Sequence, residues 1–243
     1  MEVVNGNWTM FGLDPTDSRC LHKVEEAERL IEEIGMLPLF GNDIKGFSLE
    51  ERTASPNWWC GNPLDDPWMW RTVIAKRHNI IYGKFFAGKT GFISKELVPD
   101  FVNYRRDGYD FDALFDDGKA PMKHRKIMLN FMDDNADNMI MSNELKIQSG
   151  FGKGGKKGYD GAITSLMMQT YLCNSDFTKR VNKKGEEFGW EVAEYATPEH
   201  ILGYEYVTSR YNCDPKESFE RIVNRVKKFF PEATEKQLLK VLR

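Results

Sequence analysis

Three groups of residues in this chain have the types and spacing to do chemistry. The octapeptide Gly83-Lys84-Phe85-Phe86-Ala87-Gly88-Lys89-Thr90 satisfies the phosphate-binding pattern GxxxxGK[ST]. Such a loop must leave a buried strand, wrap phosphates with its backbone N–H groups, and run into a helix whose N-terminus faces the anion. Here two bulky phenylalanines fill the interior and Gly91-Phe92-Ile93-Ser94 follows, which prefers a strand. The segment therefore reads as the tip of a β-hairpin. The second group is Arg105-Arg106-Asp107-Gly108-Tyr109-Asp110-Phe111-Asp112. A helical-hand calcium loop needs alternating acids, a glycine at six and a glutamate at twelve, and a kinase catalytic loop needs a downstream Asn and a DFG; neither pattern is complete. Solvated caps and local Arg–Asp pairs are the preferred use of these acids.

The third group is basic. Between Lys146 and Lys184 stand eight bases, Lys146, Lys153, Lys156, Lys157, Lys179, Arg180, Lys183 and Lys184, against two acids, Asp160 and Asp176. Three of the bases crowd the loop Gly150–Gly158 (GFGKGGKKG) and four crowd the turn 179–185. From 122 to 197 the expected order is helix, short helix, Gly/Lys loop, helix, strand, basic hairpin, strand, the order of a winged helix-turn-helix. On the helix expected over 160–171, Ile163, Leu166, Met167 and Thr170 share an inward face. The opposite face presents Ser165, Met168 and Gln169, with Thr164 and Gly161 at its edges. Ser, Thr and Gln can read base edges, and Met can touch a thymine methyl. The expected DNA-binding residues are Lys153, Lys156, Lys157, Thr164, Ser165, Gln169, Lys179, Arg180, Lys183 and Lys184, the bases meeting phosphates on either side of a groove in double-stranded DNA. Lysines also decorate solvated loops, and winged helices also serve protein contacts.

Four stretches carry a resemblance: Asp66-Pro67-Trp68-Met69-Trp70-Arg71, Tyr82-Gly83-Lys84-Phe85-Phe86, Asn103 to Asp112, and Gly189-Trp190-Glu191-Val192-Ala193-Glu194-Tyr195-Ala196-Thr197-Pro198-Glu199. Over about residues 36 to 205 the chain resembles bacterial AlkZ-related proteins, relatives of the winged-helix crosslink-repair DNA glycosylases. The resemblance implies a DNA-binding winged-helix scaffold connected with DNA repair, with the hairpin at 80–94 part of a second such unit. It does not carry catalysis over. The glycosylases position water with Gln-x-Gln or Gln-x-Asp, and none of Gln148, Gln169 and Gln237 has Gln or Asp two residues on. The leading expectation is DNA binding without chemistry. One alternative is a glycosylase acting on alkylated or crosslinked bases, with Asp107, Asp110 or Asp112 in place of the glutamines. Another is a protein-interaction scaffold using the acidic N-terminal helix and exposed tryptophans.

The elements that must hold these groups are mostly helical. Val24, Ala27, Leu30, Ile31 and Ile34 fall at helical spacing within an acidic helix over 17–35 that ends at Gly35. Asp66-Pro67 caps a helix to about His78, with Trp68, Trp70 and Ile74 on its core face. Strands are expected at 80–86 and 91–94, then at 172–177 and 188–195. A helix is expected over 122–131, closed by an acidic turn at 133–138, and a short helix follows from Ser142. Asp214-Pro215 and the capping box Thr234-Glu235-Lys236-Gln237 open two final helices. The fold class is α+β and mostly helical: a winged helix-turn-helix with flanking helical segments and an additional N-terminal β-hairpin. Its expected divisions are 1–118, a helical region with the hairpin 80–94; 119–205, the winged helix; and 206–243, a C-terminal helical segment. No internal repeat is evident in the residues themselves.

Composition narrows the class. The 243 residues carry a formal net charge of −3, with 41% hydrophobic and 29% charged residues, as in globular rather than disordered chains. The charge is uneven: residues 1–70 hold 13 acids and 5 bases, whereas 71–243 hold 24 acids and 29 bases. Cys20, Cys60, Cys173 and Cys213 are widely spaced and make no CxxC pair, so free thiols are expected, with no metal and no cofactor. No apolar run of membrane-spanning length or signal-peptide start is present, and the expected location is the cytoplasm, without membrane contact.

Overall fold

Met36 to Pro38 are fully buried and open the six-stranded antiparallel sheet on which the rest of the α+β chain is built. The computed structural model describes residues 2–4, 7–132, 138–182 and 184–242. The acidic turn expected at 133–138 lies outside the described residues except for Asn138, and the expected DNA contact Lys183 lies outside them as well. Strands β1 (Glu2–Val4) and β2 (Asn7–Thr9) form a separate antiparallel pair ahead of the main fold.

Helix α1 (Val24–Ile34) buries Val24, Ala27, Ile31 and Ile34 and ends at Gly35, whose φ of 89° suits the residue without a Cβ. It begins later than the expected Asp17. The carboxylates of Asp14 and Asp17 instead accept the N–H groups of Thr16 and Arg19, closing tight turns that compete with a helix. Strand β3 (Met36–Pro38) follows, and a long connection leads to α2 (Pro67–Arg77). The Asp66 carboxylate accepts the Trp68 N–H at 2.9 Å, Pro67 takes the first turn, and Trp70 and Ile74 are buried as expected. Strands β4 (Ile80–Phe86) and β5 (Lys89–Ser94) form the expected hairpin.

Next come α3 (Val98–Arg106), α4 (Phe111–Asp116) and α5 (Met122–Met128). Then β6 (Ile140–Met141) runs straight into α6 (Ser142–Gln148), and α7 (Tyr159–Met168) follows the Gly/Lys loop. Strands β7 (Cys173–Val181) and β8 (Glu187–Ala196) are longer than expected, so Lys179 and Arg180 stand on a strand and not in the turn. The chain closes with α8 (Pro198–Leu202), α9 (Tyr204–Val207), α10 (Pro215–Phe229) and α11 (Glu235–Leu242).

The sheet order is β3-β5-β4-β7-β8-β6, with antiparallel pairing throughout. The hairpin at 80–94 is therefore not an appendage. It joins the β7–β8 hairpin through β4 and β7, where Tyr82 faces Asn174. Each half of the sheet repeats one plan: a single strand pairs with the outer strand of a hairpin that itself follows a helix. The same spacing of 92 residues separates Pro67 from Tyr159, which begin α2 and α7; His78 from Thr170, both left-handed with φ of 58° and 61°; and Tyr82 from Asn174. The pair that joins the halves thus lies between equivalent positions, as a local two-fold axis requires. Helix α2 packs on β7 and α7 on β4, so each hairpin-leading helix crosses to the opposite half.

Two apolar clusters hold this arrangement. The first gathers α1, β3, α2, β4, β5 and α3, and it takes in Ile222 and Val226 of α10 and Leu238 and Leu242 of α11. The segment 206–243 is thus part of the first core and does not stand apart. Each fully buried Ile or Leu there contributes about 1.5–3 kcal/mol. The second cluster is formed by α4 to α7 with Tyr171 and Leu172.

Candidate nucleic-acid interface

Helix α7 starts at Gly158, where φ is 98°, and buries Tyr159, Ala162, Ile163, Leu166 and Met167. That burial follows the expected inward face, and Thr170, one residue beyond the helix cap, is buried too. The outward face is open at its N-terminal end, where Asp160 and Gly161 are exposed. Thr164, Ser165, Met168 and Gln169 are only half exposed. The β4–β5 hairpin accounts for part of this: the Lys84 ammonium donates to Thr164 Oγ1 at 3.1 Å, and Gly88 lies against Thr164 and Met168. The Gln169 amide donates to Ser165 Oγ at 3.3 Å, which ties together two of the expected base-reading groups.

The loop before α7 presents Lys153, Lys156 and Lys157 to solvent. Its tightness follows from its glycines. The Lys156 N–H reaches Gly150 O at 3.1 Å, and a Cβ on Gly155 would stand 2.5 Å from that same oxygen. On the hairpin, Lys179 pairs with Glu187 at 3.5 Å and the Arg180 guanidinium lies 5.0 Å from the Phe188 ring centroid. Lys184 is exposed and its N–H is held by Asn182. Arg180 and Lys184 have no acidic partner within salt-bridge distance among the described residues. The loop precedes α7 in the chain and the hairpin follows it; in space α7 packs on β4 and the hairpin strand β7 packs on α2. Lys84 and Lys89 of the first hairpin were not among the expected contacts. A lysine inside a strand signals nothing by itself, and only the pairing of β4 with β7 brings Lys84 beside Thr164.

The other motifs resolve into structure. Gly83 to Thr90 is the end of β4, a turn, and the start of β5; Phe85 and Phe86 are core, and no helix follows to receive phosphate. The acids at 107–112 do not converge. Asp107 is exposed at the left-handed end of α3, and Asp112 is exposed and accepts the N–H of Ala113. Asp110 instead accepts hydroxyl protons from Tyr204 at 2.6 Å and Tyr211 at 2.8 Å, and lies 3.9 Å from Arg106. Arg106 is buried between α3 and α8, donates to Glu199, Tyr211 and the carbonyl of Thr170, and stacks on Tyr171. Burial alone would lower its pKa, but Glu199 and Tyr211 outweigh that and the net direction is upward. Its neighbour Arg105 has only the carbonyls of Phe85 and Leu242 as acceptors, and burial pushes its pKa down to about 9. Local Arg–Asp pairing was the expected use, and the Arg106–Asp110 contact at i,i+4 meets it.

Part of the acidic face of α1 is also used internally, since Glu25 and Glu28 pair with Arg77 of α2. Among the described residues no group of three or more His, Cys, Asp and Glu could hold a metal, and no helix is long and apolar enough to cross a membrane. The four cysteines are unpaired; burial raises the thiol pKa of Cys20 and Cys173. A cleft of about 950 Å³ lies between residues 43–52 and the 229–237 connection, and the basic loop does not line it.

A family model described as AlkZ related matches residues 21–243. No curated protein matches the chain, and no solved structure matches it.

Proposed function

The chain belongs to the AlkZ-related family, and on that footing we propose that it is a DNA-binding, repair-connected winged-helix protein without chemistry of its own. The observation that carries this reading is the pairing of β6 with β8. A winged helix runs helix, strand, helix, helix, hairpin, and its lone strand pairs with the second strand of the hairpin. The order α5, β6, α6, α7, β7, β8 follows that plan. The first half follows it too, as α1, β3, α2, β4, β5 with 3-10 turns where the middle helix would stand. We therefore read two such units back to back, the first taking in 206–243 through their shared core and the second taking in α4 with the expected 119–205.

In this reading α7 is the helix turned toward double-stranded DNA, in the second unit. Asp160, Gly161, Ser165 and Thr164 are nearest the bases, since such helices read with their N-terminal residues. Gln169 lies deeper and positions Ser165. Lys153, Lys156 and Lys157 on one side, and Lys179, Arg180, Lys183 and Lys184 on the other, meet phosphates. Asp110 already accepts two tyrosine hydroxyls and faces Arg106, which supports a scaffold role over that of a base activating water.

The test is fluorescence anisotropy with a short duplex across a salt series. Each engaged phosphate contributes about −0.9 to the slope of log K against log salt. Neutralising Lys156, Lys157 and Lys184 together is expected to flatten the slope by about 2.7 and to weaken unrelated sequences alike. Absent or salt-independent binding would overturn the proposal.

A further inference from the structure

The β7–β8 hairpin carries a feature that phosphate contact does not use. Trp190 is 89% exposed, far more than its size would favour, and it shares the overhanging end of the hairpin with exposed Val181 and Phe188. Its position has a backbone cause. Thr178 faces Val192 and Arg180 faces Phe188, so a single residue of β7 lies opposite Gly189, Trp190 and Glu191 of β8. The extra residues form a bulge, and Gly189, with φ of 75°, supplies the left-handed turn. Bulges re-aim side chains, and this one turns an indole into solvent.

The bulge is also anchored. Glu191 pairs with Arg71 of α2 at 3.6 Å. Arg71 is buried and sandwiched between the rings of Trp68 at 4.1 Å and Phe177 at 4.0 Å. The residue next to Trp190 is thereby fixed to the body of the protein, and among the described residues no ring covers the exposed Trp190. Arg180 is the cation beside it, its guanidinium 3.1 Å from where a Cβ on Gly189 would stand and over the Phe188 ring, and among the described residues neither Arg180 nor exposed Lys184 of the turn has an acidic partner. A rigidly presented indole beside free cations is the composition of a stacking platform, in which backbone phosphates are held by charge and an unpaired base covers the ring.

We infer that Trp190 stacks on an unpaired base, so that the preferred ligand is DNA with bases out of the duplex stack, such as a gap or a single-stranded segment. This rests on the DNA-binding reading above and adds the substrate class. Residues 179–187 hold four bases against Glu186 and Glu187, and this net +2 favours nucleic acid over a second copy of the chain as the occupant.

The experiment compares three probes by anisotropy: an intact duplex, the same duplex with a one-nucleotide gap, and a single strand. The protein is expected to prefer the gapped and single-stranded probes. Trp190→Ala should weaken those two by about 5- to 150-fold and leave the intact duplex and its salt slope unchanged. Trp190→Phe should restore most of the preference, and the exposed site keeps both variants folded, checked by an unchanged Tm. If Trp190→Ala weakens all three probes equally, or none, stacking is overturned while DNA binding stands. If no probe binds, both readings fall. Concentration-dependent self-association that Trp190→Ala abolishes would likewise overturn stacking and assign the tip to a protein contact.

Discussion

Glu199→Gln isolates the charge that compensates Arg106. The Arg106 side chain is 1% exposed and that of Glu199 20%, so the pair is dry at the guanidinium and wet at the carboxylate. Removing one partner from a fully buried ion pair costs about 3–5 kcal/mol, because the remaining charge is left uncompensated. Three features reduce that here. The Gln oxygen can still accept an Arg106 N–H, Asp110 remains 3.9 Å away, and a neutral amide costs less to desolvate on folding than the Glu199 carboxylate. An opposite charge near 4 Å retains about 4 kcal/mol of attraction at an effective dielectric of 20. The expected loss is therefore about 2 kcal/mol, read as a fall in Tm of about 4–8 °C for a chain of this size. Urea unfolding with an unchanged m-value is the assay. Adding Asp110→Asn should cost more than the sum of the single changes, since the two carboxylates back each other up. If Glu199→Gln moves Tm by less than about 2 °C, or the double variant is merely additive, Arg106 is not held by this pair as argued.

Two other stability effects follow from single atoms. His124 is buried on α5, its Nδ1 has no partner, and burial lowers its pKa from the ordinary 6.5. The unfolded chain then takes up the proton first, so stability is level above pH 6.5 and falls as pH drops below it toward the depressed folded value; a flat profile between pH 7 and 5.5 in His124→Leu, against a falling one in the parent, is the expected readout. Gly91→Ala would place a Cβ 2.5 Å from the Phe86 ring and 2.7 Å from the Pro38 backbone, so it should destabilise by about 1–3 kcal/mol in urea melts, and a neutral result would contradict the packing of β3 on β5.

How far the sequence discloses the fold depends on whether the signal is local. Asp66-Pro67, Asp214-Pro215 and the Thr234/Gln237 box each act within a few residues, and each caps the helix expected of it. Helix α3 shows no clean periodicity because it is packed on several sides, burying Asp100, Asn103 and Arg106 along with Val98, Phe101 and Val102. Asn103 donates to Cys213 O and Ser218 Oγ, more than a hundred residues away, and no local pattern can announce that. The outer ends of β7 and β8 lose the alternation of a half-buried strand because both faces there are wet, so 178–181 and 187 read as connection. The repeat is invisible for a related reason. Its equivalent positions, His78 with Thr170 and Tyr82 with Asn174, share backbone geometry and no side-chain chemistry.

The same repeat explains why the two hairpins expose different side chains. Both halves build a helix followed by a hairpin, yet the hairpins meet different surroundings. The β4–β5 hairpin is buried along most of its length, and its turn lies against Thr164 and Met168 of α7. Lys84 is spent on that contact while Lys89 stays exposed at the turn, and further basic side chains crowded against α7 would be desolvated at a cost. The β7–β8 hairpin is held along its inner half, where Arg71 pairs with Glu191 and Lys76 with Asp176, and its outer half projects past α2 into solvent. That exposed outer half can carry several cations and an open tryptophan cheaply. The difference therefore belongs to the geometry: of two equivalent hairpins, the sheet order leaves the outer half of one free to meet a ligand.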